Sequence, residues 1–140
     1  MGFWQSRAMR VRLSILAAVM AALPAAAQDT MTGAEFESYV EGRTLTYHDQ
    51  GVAYGIEQYL PGRRVRWAYI GDECWDGYWY EEGPNICFVY EDNPEPKCWL
   101  FTRKQGRLAA LFVGSEDGRE LYEVKNSEEP LACLGPDVGV

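Results

Sequence analysis

The side chains of this chain that could do chemistry are a dense group of aromatic rings, many carboxylates, four cysteines and a single histidine. Trp67, Tyr69, Trp75, Tyr78, Trp79, Tyr80, Phe88, Tyr90, Trp99 and Phe101 all fall between positions 67 and 101. Rings at this density serve two ends. They fill the interior of a small domain, because each buries a large area, or they line a pocket whose walls hold a ligand by apolar and π contacts. Trp67, Tyr69, Trp75, Trp79 and Trp99 are the candidate ligand-binding rings, with Arg64 and Arg66, or Arg103, near enough in sequence to orient an anionic or polar group. The pattern names no ligand.

Catalysis finds less support. His48 stands at the end of an alternating stretch beside a turn, where a surface role fits better than that of a general base. There is no G-x-S-x-G, and Ser38, Ser115 and Ser127 fall on a helix or in turns, so a hydrolytic triad has no nucleophile. Two carboxylates across a cleft can hydrolyse glycosidic bonds. Asp76 and Glu57 are the candidates for such acid chemistry, yet each sits in an alternating strand where a solvated carboxylate is the simpler expectation. Asp72 to Gly77 loosely imitates the first half of a calcium loop, but Cys74 occupies its third position and Gly83 its twelfth, where a bidentate Glu is required. Glu91, Asp92 and Glu95 form a solvated Pro-rich turn. No enzyme activity, metal or cofactor is expected.

These residues need elements to position them. Thr32-Gly33-Ala34-Glu35 matches a capping box, Met31 and Phe36 a hydrophobic staple. Phe36, Tyr39 and Val40 then share one helical face, and Gly42 is suited to stop the helix in a left-handed conformation. From Arg43 onward the period changes from about 3.6 to 2. Strands are predicted near 43–48, 52–60, 63–70, 74–81, 85–91, 97–104, 107–114 and 119–125, joined by short links at Asp49-Gln50-Gly51, Pro61-Gly62, Gly83-Pro84-Asn85, Asn93-Pro94-Glu95-Pro96 and Asp117-Gly118. Short links favour a meander of sequential neighbours. The fold class is therefore all-β: an antiparallel meander of about eight strands, closed into a small barrel or strongly bent sheet, with one short N-terminal helix; a two-sheet sandwich is the main competitor. Alternation puts Val65, Trp67 and Tyr69 on one face with Arg64 and Arg66 on the other, and groups Trp75 with Gly77 and Trp79.

The compartment follows from the first 27 residues. Arg7, Arg10 and Arg12 precede an apolar run from Leu13 that ends in Pro24-Ala25-Ala26-Ala27, with Ala25 and Ala27 in a small-x-small cleavage pattern. The run is too short and too interrupted for a membrane span of about 20 residues. Residues 1–27 read as a signal peptide and 28–140 as a single periplasmic β-domain without a membrane anchor after cleavage, its closing segment from Leu134 to Val140 a tail. Removing the three leader arginines from 13 basic residues leaves 10 against 21 acidic ones, a net of −11. Such a surface repels nucleic acid and anionic lipid. In an oxidising compartment, Cys74, Cys87, Cys98 and Cys133 read as two disulfides. Of three connectivities, Cys87 with Cys98 is favoured because a hairpin would bring them together, leaving Cys74 with Cys133.

Gly42-Arg43-Thr44 after a short helix, Tyr59-Leu60-Pro61 before a basic strand, Cys74-x-x-Gly77-x-Trp79, and Ile86-Cys87 followed by Tyr90 and Cys98 together resemble a family of small secreted alphaproteobacterial proteins known as a domain of unknown function. The resemblance spans Thr32 to Cys98 and implies a periplasmic all-β domain, with no activity and no catalytic residue to carry over. The sequence thus points to a non-enzymatic periplasmic domain that binds an unidentified small ligand or partner through an aromatic face or barrel mouth. One alternative is an inhibitor of a cationic envelope enzyme such as lysozyme, although the Ser-Gly-x-x-Tyr motif of such inhibitors is missing. The other is a small-ligand carrier with an aromatic pocket.

Overall fold

Eight short segments of alternating hydrophobicity joined by tight turns pair in the order in which they occur, and the last returns to the first. In the computed structural model, which describes residue 2, residues 29–114 and residues 116–133, the strands are β1 (Thr44–Asp49), β2 (Val52–Leu60), β3 (Arg64–Tyr69), β4 (Trp75–Glu82), β5 (Asn85–Tyr90), β6 (Asn93–Lys104), β7 (Arg107–Phe112) and β8 (Glu120–Ser127). All pairs are antiparallel, and β1 pairs with both β2 and β8, which closes the barrel. Closure removes the free edges that a bent sheet or a sandwich would leave. Apart from residue 2, the segment read as a signal peptide lies outside the described residues, as do Ser115 and the tail from Leu134.

Turn chemistry sets the register. Gln50-Gly51 and Gln105-Gly106 each link two strands through a pair of positive φ angles, 49° and 79° in the first and 53° and 78° in the second. This is the two-residue hairpin geometry that matches strand twist. One link differs from expectation. Asn93 to Pro96 belongs to β6, and the turn is Glu91-Asp92. The two prolines are tolerated because β7 pairs with β6 only from Trp99 onward, so the missing N–H groups interrupt no second ladder.

The helix α1 (Gly33–Val40) plugs one end. Its capping box is formed: the Glu35 N–H donates to the Thr32 hydroxyl at 3.2 Å and the Thr32 N–H to the Glu35 carboxylate at 3.0 Å. The Gly33 N–H donates to Glu81 from the end of β4. Phe36 enters the barrel and meets Phe101 at 4.4 Å, Trp79 at 5.1 Å and Tyr59 at 5.7 Å between ring centroids. Tyr39 donates to Glu123 at 2.7 Å, and Arg63 in the β2–β3 link pairs with Glu37 at 3.0 Å. Every one of these partners lies at the end of the barrel holding the 61–63 and 105–106 links. The other end, ringed by the 50–51, 70–74, 91–92 and 113–119 links, receives no helix among the described residues.

Two disulfides lock this frame, with the favoured connectivity. Cys87 and Cys98 face each other across β5 and β6. Cys74, just ahead of β4, bonds Cys133. After β8 the chain runs back outside the barrel: Arg43 pairs with Glu128, the Leu131 N–H donates to the Gln58 side chain at 3.2 Å, and Leu131 is buried.

Candidate functional site

Inward-facing residues of β2 explain the cavity at the unplugged end. Gly55, Glu57 and Tyr59 are buried and alternate with half-buried Ile56, Gln58 and Leu60. A Cβ at Gly55 would overlap the Trp67 indole, so the glycine is what lets that ring lie across β2. At Gly77 a Cβ would run into the Val89 carbonyl oxygen and the Tyr90 ring. Tyr47 pairs with Gly55 and His48 with Ala53, which leaves Tyr54 as an extra residue in a bulge. A bulge re-aims the side chain it carries, and here Tyr54 lines the cavity beside Trp67, with their ring centroids 5.8 Å apart.

The resulting cavity has a volume of about 260 Å³. Its outer wall is aromatic: Tyr54, Trp67, Tyr69, Trp75 and Trp99, joined by Asp92, Asn93 and Lys97. Tyr47, Glu57, Tyr59, Phe88, Tyr90, Phe101, Ala110 and Leu121 complete the lining. A cavity of about 150 Å³ lined by apolar side chains already holds benzene. This one therefore has room for a larger organic molecule.

Its polar groups are few and buried. Glu57 is 1% exposed, and its Oε1 accepts from the Tyr90 hydroxyl at 2.9 Å. Its Oε2 has no hydrogen-bond partner among the described residues. Burial drives the Glu57 acid well above the usual carboxylate range, and the Tyr90 hydrogen bond opposes this only in part. The Tyr47 and Tyr59 hydroxyls are 2.8 Å apart. Two hydroxyls sharing one hydrogen bond leave one O–H to donate elsewhere. Burial also raises the pKa of Tyr47, Tyr59 and Tyr90 well above the ordinary phenol value. The cavity thus presents three phenols and a carboxyl group whose charged forms burial disfavours, with one carboxyl oxygen unpartnered among the described residues.

Of the residues singled out in the sequence, Trp67, Tyr69, Trp75 and Trp99 come together on the cavity wall. Trp79 does not. It is 3% exposed at the plugged end, against Phe36, with the Arg63 guanidinium 4.5 Å from its ring centroid. Arg64 is exposed, and Arg66 pairs with Asp76 at 2.7 Å across β3 and β4. Neither arginine lines the cavity. Arg103 stacks on Tyr39 at 4.4 Å, at the helix end.

The two carboxylates considered for acid chemistry have opposite fates. The Arg66 hydrogen bond holds Asp76 below the usual carboxylate range, so it is ionised and engaged. Glu57 corrects the expectation of a solvated carboxylate: it points into the barrel. The signal was its even spacing from Tyr59, which the matching outward set of Ile56 and Leu60 obscured. Lys97, which is not among the candidates, reaches the cavity because it pairs with inward-facing Phe88. The one group of three metal-type donors among the described residues, Glu82, Cys87 and Cys98, has both sulfurs committed to their own bond.

No family model, curated protein or solved structure matches this chain.

Proposed function

We propose that this chain is a non-enzymatic binding domain of the periplasm whose barrel takes a small organic molecule through its unplugged end. The observation that carries the reading is an aromatic-walled cavity at the unplugged end holding a buried carboxyl oxygen with no hydrogen-bond partner among the described residues. A buried polar atom left unpaired is costly, and such atoms are kept where something else supplies the partner. The disulfides agree with an oxidising compartment. Of the two carboxylates considered for acid chemistry, only Glu57 lines the cavity, since Asp76 is held outside by Arg66.

Native electrospray mass of the oxidised protein, purified without denaturation, tests this. The expected result is a mass above that of the doubly bridged chain, with the excess lost on unfolding. Where the bare mass is found, calorimetric titration with indole provides the second reading. A bare mass together with no heat of binding would sink the proposal.

A further inference from the structure

Three features of the cavity have a common chemical meaning. The first is its wall, in which Trp67, Trp75 and Trp99 stand with Tyr54 and Tyr69. Indole faces carry the negative end of the ring quadrupole and attract cations more strongly than other rings. The second is Glu57 Oε2, buried in the same cavity with no hydrogen-bond partner among the described residues. The third is the distribution of charge over the molecule. The four links around the open end contain Asp72, Glu73, Glu91, Asp92, Glu116 and Asp117 against Arg119 alone, and Arg119 is paired with Asp49 at 3.3 Å. At the plugged end, Arg43, Arg63, Arg64, Arg103, Lys104 and Arg107 lie in or beside the links against Glu41, Glu81 and Glu82. A negative mouth over a low-dielectric cavity focuses potential and concentrates cations there.

Resting on the ligand-binding reading above, we infer that the cavity selects a small organic cation, whose ammonium is held by the tryptophan wall and by Glu57 as its carboxylate. Binding then exchanges a proton for the ligand. The Glu57 acid, whose charged form burial disfavours, gives its proton to solvent, its Oε1 still accepting from Tyr90, and the cation takes the proton's place as counter-charge. Lys97 is the one basic side chain on the wall, and Asp92 stands on the same wall. The other titratable groups facing the cavity are Tyr47 from β1, Tyr54 and Tyr59 from β2, Tyr69 from β3 and Tyr90 from β5. They supply hydroxyls and no charge. β4, β7 and β8 contribute Trp75, Ala110 and Leu121.

The test compares choline with its uncharged isostere, 3,3-dimethylbutan-1-ol, by calorimetry on the oxidised protein, with indole as a neutral aromatic probe. Choline is expected to bind at least tenfold tighter than the isostere. Its affinity should rise toward tenfold per pH unit below the pKa of Glu57 in the empty cavity, with close to one proton released per choline, measured in buffers of different ionisation enthalpy. Glu57→Gln should weaken choline tenfold or more; the proton count on the unaltered protein stands independently of how that variant folds. An isostere that binds as tightly as choline, or choline binding without proton release, overturns the cation assignment and leaves the binding reading in place. Indole binding with neither of the other two does the same. Failure of all three to bind overturns the binding reading itself.

Discussion

A carboxyl group buried among rings makes folding depend on pH with a sign opposite to that of an ordinary ion-paired acid. Desolvation raises the folded-state pKa of Glu57 above its unfolded value of about 4.3. Folding therefore takes up a proton between the two values. The contribution to stability is complete below the unfolded pKa and is lost as pH rises through the folded one. Glu57→Gln removes this dependence. Thermal unfolding followed from pH 4 to 8 should show the variant gaining on the parent as pH rises; a gap independent of pH would place the ionisation elsewhere. Asp76 acts in the opposite direction, since Arg66 lowers its pKa and that contribution is lost as pH falls. Both partners are more than a third exposed, so the effect is small. Gly55 offers a second test at this scale. Gly→Ala in an unstrained strand position ordinarily stabilises by about 0.4–1 kcal/mol. At Gly55 the added methyl collides with Trp67, and overpacking of this kind costs about 1–3 kcal/mol. Gly55→Ala should lower the urea midpoint and alter the near-ultraviolet signal of Trp67.

Among the elements, the helix plug carries a large share of the packing. Phe36 is fully buried and touches rings from β2, β4, β5 and β6. Truncating a phenylalanine in such a setting costs about 3–5 kcal/mol, so Phe36→Ala should bring the denaturant midpoint down by that equivalent. Thr32→Ala, which removes only the cap, should cost about 1 kcal/mol. A near-equal loss for the two would mean that the helix contributes through its local structure and not through the ring it inserts. The β2 bulge and the Pro-containing start of β6 do other work: they bring Tyr54, Asn93 and Lys97 to the open end, where the cavity begins.

On the scale of the whole molecule, the two disulfides close loops of very different size, 59 residues apart in sequence for Cys74–Cys133 and 11 for Cys87–Cys98. Loop-closure entropy assigns about 4 kcal/mol to the first and about 3 kcal/mol to the second. Replacing Cys74 and Cys133 with serine should therefore destabilise the chain more than replacing Cys87 and Cys98, as measured by equilibrium unfolding. The reverse order would show that cross-strand geometry within the barrel outweighs chain entropy. The long bridge also anchors the segment after β8 to the residue preceding Trp75, so its loss should loosen one side of the cavity wall.

The helix and its capping box, all eight strands, their sequential order and the cysteine pairing were legible in the sequence, because each rests on local signals: a cap at fixed spacing, a period of 2, a turn dipeptide, a hairpin that brings two cysteines together. The rings Trp67, Tyr69, Trp75 and Trp99 were legible as candidates for the same reason, since alternation assigns a face. What alternation cannot assign is the height of a residue along the barrel axis. Trp79 shares a face with Trp75 but lies two turns of the pleat nearer the helix, where it belongs to the core, and that depended on which end Phe36 plugs. Nor could the burial of Glu57 be read locally, because its inward set begins with a glycine and its outward set includes the apolar Ile56 and Leu60. Only closure of β1 against β8 makes one face of β2 an interior, and only that interior turns an ordinary strand glutamate into a buried acid.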